Sequence, residues 1–468
     1  AAVEMVSDDE CATVAGDNSK ADCALNALQH RGALQAATAS AQAGAASANQ
    51  SKAHSWSRGP PKNGMGYNGI AWDEITVSNP EPETHVFAIG DWGGMDGSFV
   101  PEDGHPQIVV YPGGASPGPH VFPRSRIQCE HEELVNCYWP GRECKSECGF
   151  LPSVDSKPQL LVANVFKARA AKNNPEYILN VGDNFYFGGI ETTCGKPMGT
   201  INPTTRHQFD TVFEGVYNGA GLSGKKWISV LGNHDWGGFH FDNGWDQQIA
   251  YTWASSRWVM PGAYYSLKAN YPGFSIDYYM LDSNFVDAMD PPEDPEHNIC
   301  SELHNNAGAD CSKAGGPGSV EGCKAWFQSF WQQQKLWVER KLAQSKADWQ
   351  IIVTHFPCGF EAGWFSGLNA RLGLDLLVTG HRHDQELWKA GEVGYAGILG
   401  GLTCFVTGGG GGITSEESLI PGAPTHNWPN VNTQYGFFDL TISKSKILVE
   451  SISYEGEVID STVVHPSR

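Results

Sequence analysis

Basic residues are scarce in this chain: Lys and Arg total 31 against 52 Asp and Glu, a formal net charge of −21. Affinity for a nucleic-acid backbone rests on clustered cations, so a nucleic-acid binder is excluded. Adsorption to anionic membrane surfaces is excluded with it. Long apolar runs are missing too. None reaches the roughly 20 residues that span a bilayer, so no transmembrane segment is expected. Ala1-Ala2-Val3-Glu4 lacks the basic and apolar regions of a secretory leader, which was either removed or never present. His465-Pro466-Ser467-Arg468 carries no hydrophobic tail of the lipid-anchor type. There is no internal repeat of solenoid or propeller period. The glycine run Gly408 to Gly412 lacks the Lys-Ser/Thr ending of a phosphate loop, and it reads instead as a place where backbone approaches a cleft closely.

Cysteine, by contrast, is present in an even number, 12, and mostly in loop-like clusters. Cys129, Cys137, Cys144 and Cys148 share one polar stretch, Cys300, Cys311 and Cys323 another, and Cys11 and Cys23 form a local pair. This spacing suits a disulfide framework in a secreted, extracellular or lumenal protein. A zinc site built from Cys129 to Cys148 is the weaker alternative, because that cluster holds no C-x-x-C pair. Asn49-Gln50-Ser51 is a glycosylation sequon consistent with export.

Composition divides the chain into an N-terminal arm, residues 1–84, and a main domain, residues 85–468. Gly32 to Ala53 is almost all Ala, Ser, Gln and Gly, with no apolar stripe to bury, so order there requires docking on the main domain or on a partner. From His85 onward, strand-like and helix-like periods alternate. Leu161, Val165 and Ala168 recur at helical spacing, as do Phe209, Val212, Phe213 and Val216, and then Phe327, Trp331, Val338 and Leu342. Phe437 to Ile442 and Ile447 to Ile452 read as paired strands of an antiparallel edge. Residues 96–157 form a Cys-rich insertion and residues 290–323 a second Cys-rich loop. Such alternation predicts an α/β layered domain with functional residues on loops just after strand ends.

Five segments place Asp, Asn or His directly after an apolar strand: Gly90-Asp91-Trp92-Gly93, Gly182-Asp183-Asn184-Phe185-Tyr186, Gly232-Asn233-His234-Asp235, Val353-Thr354-His355 and Gly380-His381-Arg382-His383. Each alone is ordinary turn chemistry. Five in order point to one cleft. Carboxylate, amide, phenol and imidazole donors suit Fe, Zn or Mn rather than soft-metal sites. His381 and His383 are two apart, so on an extended segment their rings face different ways and can serve different ions. Asp183 could bridge two metals, forming a clamp for displacement at phosphorus.

The order Asp-x-Gly, Gly-Asp-x-x-Tyr, Gly-Asn-His, x-x-His and Gly-His-x-His resembles the metallophosphoesterase superfamily. Tyr186 points within it to the purple acid phosphatases, and the stretches around Asp183 and Asn233 to their mammalian-type, tartrate-resistant branch. The resemblance implies a four-layer α/β/β/α sandwich. It also implies that Asp91, Tyr186 and His383 bind Fe(III), that Asn233, His355 and His381 bind Fe(II), Zn or Mn, and that Asp183 bridges. The implied activity is an acid phosphatase in which a metal-bound hydroxide attacks a small phosphate monoester. Asn233 and His234 would touch the substrate, and His234 would hold a phosphate oxygen or protonate the departing alkoxide.

The sequence departs from that pattern at Trp364, where mammalian-type relatives usually carry a histidine that assists leaving-group protonation. Glu361 is a possible substitute. Cys358 is expected to pair with Cys404. Trp92, Trp236, Trp245 and Trp364 either wall a substrate mouth or pack between layers. A phosphatase-like scaffold with weak or no catalysis is the alternative function, with a protein partner held through residues 1–80 or the insertion. A phosphodiesterase of the wider superfamily fits Tyr186 less well.

Overall fold

The computed structural model describes residues 56–94, the hairpin strands 126–129 and 133–136, residues 158–412 except 187, 295, 296, 393 and 394, and residues 431–467 except 433 and 434. The Ala/Ser-rich arm, the sequon, Cys11, Cys23 and most of the insertion lie outside the described residues.

Two sheets face one another. The seven-stranded sheet runs, in spatial order, β17 (Val458–Val464), β16 (Ile447–Ser453), β15 (Gly436–Ile442), β2 (Thr84–Ile89), β5 (Tyr177–Asn180), β6 (Lys226–Ser229) and β7 (Trp258–Val259). The strands from β2 to β7 are parallel. The eight-stranded sheet runs β1 (Ile75–Thr76), β8 (Tyr265–Tyr271), β9 (Phe274–Met280), β10 (Trp349–Val353), β11 (Leu376–Thr379), β13 (Thr403–Thr407), β12 (Gln385–Trp388) and β14 (Val431–Asn432). Its centre, β9 to β13, is parallel as well. Within the insertion, β3 (Arg126–Cys129) and β4 (Glu133–Asn136) form a separate antiparallel hairpin.

The central strands are apolar on both faces, as parallel strands covered on both sides must be. Phe405 stacks on Phe438 at 4.3 Å between the sheets. The hydroxyl of Tyr177 meets those of Tyr271 and Tyr278 at 2.7 and 2.9 Å, so polar groups trapped between the layers satisfy one another. Outside the seven-stranded sheet lies α1 (Pro158–Asn173), whose Phe166 meets Phe87 and Phe437 edge-on. Its buried residues include Val162, Ala163, Phe166 and Ala170, one or two positions on from the expected Leu161, Val165 and Ala168. These four face the sheet here, and Leu161 and Val165 sit at the margin. The stretch around Phe209 is α2 (Pro203–Gln208) continued by a wider π-helical turn, Phe209–Glu214, that buries Phe209, Val212 and Phe213.

A short helix, α3 (Trp245–Ala250), is followed by α4 (Val320–Gln344), which covers the eight-stranded sheet. Ser319 caps α4 by accepting the Gly322 amide, and Trp337 packs edge-on against Tyr264 and Tyr279. Next to α4 lies α5 (Ala362–Leu372). The four-layer α/β/β/α arrangement follows.

Two expectations change. Phe437–Ile442 and Ile447–Ile452 do pair antiparallel, but β15 also pairs with β2, and β17 forms the edge. The expected arm also enters the fold from Trp56: Trp56 and Trp72 are buried, and β1 pairs with β8. Aromatic content, invisible to a scan for low complexity, explains that anchoring.

Among the described residues three disulfides are formed, Cys194 with Cys311, Cys300 with Cys323, and Cys358 with Cys404. The last is the expected pair. No described helix is long and apolar enough to cross a membrane.

Candidate metal centre

The five segments emerge at the carboxyl ends of β2, β5, β6, β10 and β11, three from one sheet and two from the other. Asp91, Asp183 and His381 adopt left-handed backbone, with φ of 56°, 51° and 72°. Such conformations cost about 1–3 kcal/mol each outside glycine, and they turn the chain sharply enough to aim each side chain inward. Gly232 makes room, since a β-carbon there would lie 2.1 Å from Asp183 Oδ1.

All seven expected ligand residues converge. The Tyr186 hydroxyl lies 2.8 Å from Asp183 Oδ2, 3.1 Å from His383 Nε2 and 3.3 Å from Asp91 Oδ1. Asn233 Oδ1 lies 2.9 Å from His355 Nε2 and 3.2 Å from His381 Nδ1. Asp183 Oδ1 is 3.4 Å from His355 Nε2. Donor atoms of Asp91, Asp183 and His355 all fall within 4.8 Å of one another, and these three residues are buried.

The histidine protons decide what this geometry means. His355 Nδ1 lies 2.8 Å from the Val181 carbonyl, which can only accept, so that nitrogen carries the hydrogen. Burial pushes the His355 imidazole below its usual pKa, keeping it neutral. Its Nε2 lone pair therefore faces the oxygens of Asn233 and Asp183. Burial, with His355 and His383 nearby, holds His381 well below its usual value as well. Burial and the Asp183 carboxylate push Asp91 far up, and burial with both carboxylates does the same to Tyr186. Burial raises Asp183 also, but His355, His234 and the Tyr186 hydroxyl outweigh it and hold it low. Lone pairs and anionic groups crowd one buried point, and a cation there satisfies them all. The donor set fits a metal.

Beneath the centre, Asp235 accepts from the amides of Gly232 and Asn184 and from the side chains of Asn184 and Gln248, tying the β5 and β6 loops together. The glycine run lies against the Asp91 loop: Gly410 N–H donates to Gly90 O at 3.1 Å and Gly412 N–H to Asp91 O at 2.7 Å. Phe356 stacks on His381 at 4.1 Å. Asp287 accepts from Asn233 Nδ2 at 2.9 Å. Sequence reading quoted Asp235 within the third segment without giving it a role, and it missed Phe356 and Asp287. Of these two, only Phe356 sits beside a motif.

His234 is mostly buried, with its ring 4.6 Å from that of Tyr186 and its amide 3.0 Å from Asp183 Oδ1. Trp364 is held elsewhere. Its indole donates to Glu339 at 2.8 Å, meets Trp331 edge-on at 5.4 Å, and lies under Lys335. Glu361 pairs with Lys335 at 2.9 Å and accepts from Trp331. The aromatic-mouth reading gives way to packing for Trp92, Trp236 and Trp245, which are fully buried. Trp92 donates to Asn180 and Trp236 to Asp282, so their polar atoms are also spent inside.

Residues 161–385 match the calcineurin-like phosphoesterase family, a span that includes every expected ligand residue except Asp91. The matched segment resembles a calcineurin-like phosphoesterase domain. The chain is similar to tartrate-resistant acid phosphatase type 5 of Oryctolagus cuniculus, 25% identical over 299 residues, which cover 61% of this chain and 78% of the relative. Purple acid phosphatase 7 of Arabidopsis thaliana is 24% identical over 307 residues, covering 64% and 79%. Among solved structures, GAP50, described as the anchor in the inner membrane complex of Plasmodium, is 14% identical with a TM-score of 0.48, covering 83% of this chain and 90% of that one.

Proposed function

We propose that this phosphoesterase domain is a dinuclear-metal acid phosphatase acting on small phosphate monoesters in a secreted or lumenal setting. The observation that carries the reading is the division of donors around Asp183. One carboxylate oxygen faces Tyr186, with Asp91 and His383 beside it, and the other faces His355, with Asn233 and His381 beside it. Asp91, Tyr186 and His383 would hold Fe(III), Asn233, His355 and His381 would hold Fe(II), Zn or Mn, and Asp183 would join them. A cation pair in this position supplies Lewis acidity and activates water.

The protein's own groups do the rest. His234, with its ring 4.6 Å from that of Tyr186, delivers a proton to the departing ester oxygen or holds a phosphate oxygen. Trp364 and Glu361 are engaged with Glu339, Trp331 and Lys335 and offer no second acid. Esters with good leaving groups are therefore the best substrates. The test is purified protein: two metal ions per chain, a visible phenolate-to-iron band and hydrolysis of an aryl phosphate below neutral pH. Metal-replete protein that hydrolyses no ester overturns the proposal.

The engagement of Trp364 also favours a second reading, a phosphatase-like scaffold with weak or no catalysis. Its partner would bind residues 1–80 or the insertion. Recovery of a stable complex from the native source, alongside absent turnover, would select it.

A further inference from the structure

We infer that Asp287 is a positioning residue for the second metal: it fixes the Asn233 amide with its oxygen toward His355 and His381. The inference rests on the dinuclear reading above. An asparagine side chain is nearly symmetric in shape but opposite in chemistry at its two ends, an acceptor oxygen and a donor nitrogen. Turned one way, Asn233 offers a lone pair to a cation. Turned the other way, its NH2 would donate to the imidazole nitrogens and the cation would lose a ligand.

Asp287 decides between these orientations. Its buried Oδ2 accepts from Asn233 Nδ2 at 2.9 Å, and a carboxylate cannot face Asn233 Oδ1 without repulsion. Donation to an anion also shifts electron density toward Oδ1, which strengthens a neutral and otherwise weak ligand.

The fold anchors Asp287 from the side away from the centre. It ends the single turn Asn284–Asp287, whose Phe285 stacks on Trp331 of α4 at 5.0 Å. Its carbonyl accepts from the amide of Ile299 at 2.9 Å. The next residue, Cys300, is bonded to Cys323 in the first turn of α4. Asn298 closes the same loop, accepting from Met289 N–H and donating to the Asp290 carbonyl. The second Cys-rich loop thus braces the residue that orients a ligand.

The experiment uses the full chain, wild type and the variants D287N and D287A, loaded with iron and then titrated with Zn²⁺ by equilibrium dialysis. Visible absorption reports the first ion throughout. Both variants are expected to keep the iron band and to bind zinc more weakly, by about 10–100-fold in D287A and less in D287N, whose carbonyl can still accept. D287N preserves size, so it decides the matter should D287A not fold. Wild-type zinc affinity in D287N, or loss of both ions together, overturns the inference. Wild-type protein that takes up only one ion refutes the dinuclear reading itself, a result separate from either.

Discussion

Gly412 lies so close to Tyr186 that a β-carbon on the glycine would stand 2.3 Å from the phenol ring. The ring cannot retreat freely, because its hydroxyl is bonded to Asp183 and Asp91. Gly412→Ala should therefore displace the phenol at an overpacking cost of about 1–3 kcal/mol. The expected signature is a shifted or weakened visible band in a protein whose far-ultraviolet circular dichroism is unchanged. An unaltered spectrum would show that Tyr186 does not reach the metal.

The His234 ring stands 4.6 Å from that of Tyr186 and is the proposed proton source. Replacing it with Ala should lower turnover of alkyl phosphates by about 10²–10⁴-fold, and that of an activated aryl ester much less. Metal content should not change. Equal losses on both substrates in steady-state kinetics would remove His234 from leaving-group protonation.

Trp364→His restores the residue type that mammalian-type relatives usually carry there. The indole it removes bonds Glu339 and packs on Trp331, so a less stable fold is expected, by roughly 1–3 kcal/mol in urea titration. No gain in alkyl phosphate turnover is expected, because side chains at this position lie against α4. A gain would mean that the imidazole can turn toward the substrate.

Asp246 gives a pH-dependent stability. Burial pushes its carboxyl up to about 6, against which the Gly195 amide at 2.8 Å works only in part. Between the ordinary carboxylate range and about 6, the folded chain keeps a proton that the unfolded chain has lost. This contribution is therefore greatest in acid, falls as pH rises through that window, and is level above it. Asp246→Asn should be more stable than wild type at pH near 7 and gain less in acid, as read from urea midpoints. A variant equally affected across the window would place the effect elsewhere.

The ligand segments were legible because each is local: a strand, a tight turn and the donor lie within a few residues. The Cys358–Cys404 pair was legible for a related reason, since Cys358 follows the His355 segment and Cys404 precedes the glycine run. Asp287 was not, because its partner Asn233 is 54 positions away and nothing around it repeats a pattern. The tryptophans misled for a physical reason. An indole beside a catalytic loop can face the cleft or the core, and only the placement of Asn180 and Asp282 as acceptors decides for Trp92 and Trp236. Helix α1 was found, but its inward face was misread by one or two positions: Val162, Ala163, Phe166 and Ala170 meet the sheet, while Leu161 and Val165 lie at the margin.

Because the donors are drawn from the strand ends of both sheets, two metal ions gripped among them would work as a rivet as well as a reagent. Sliding one half of the sandwich past the other would stretch the bonds made by Asp183 to both sides. Chelation should then loosen the whole body, with melting losing sharpness along with colour.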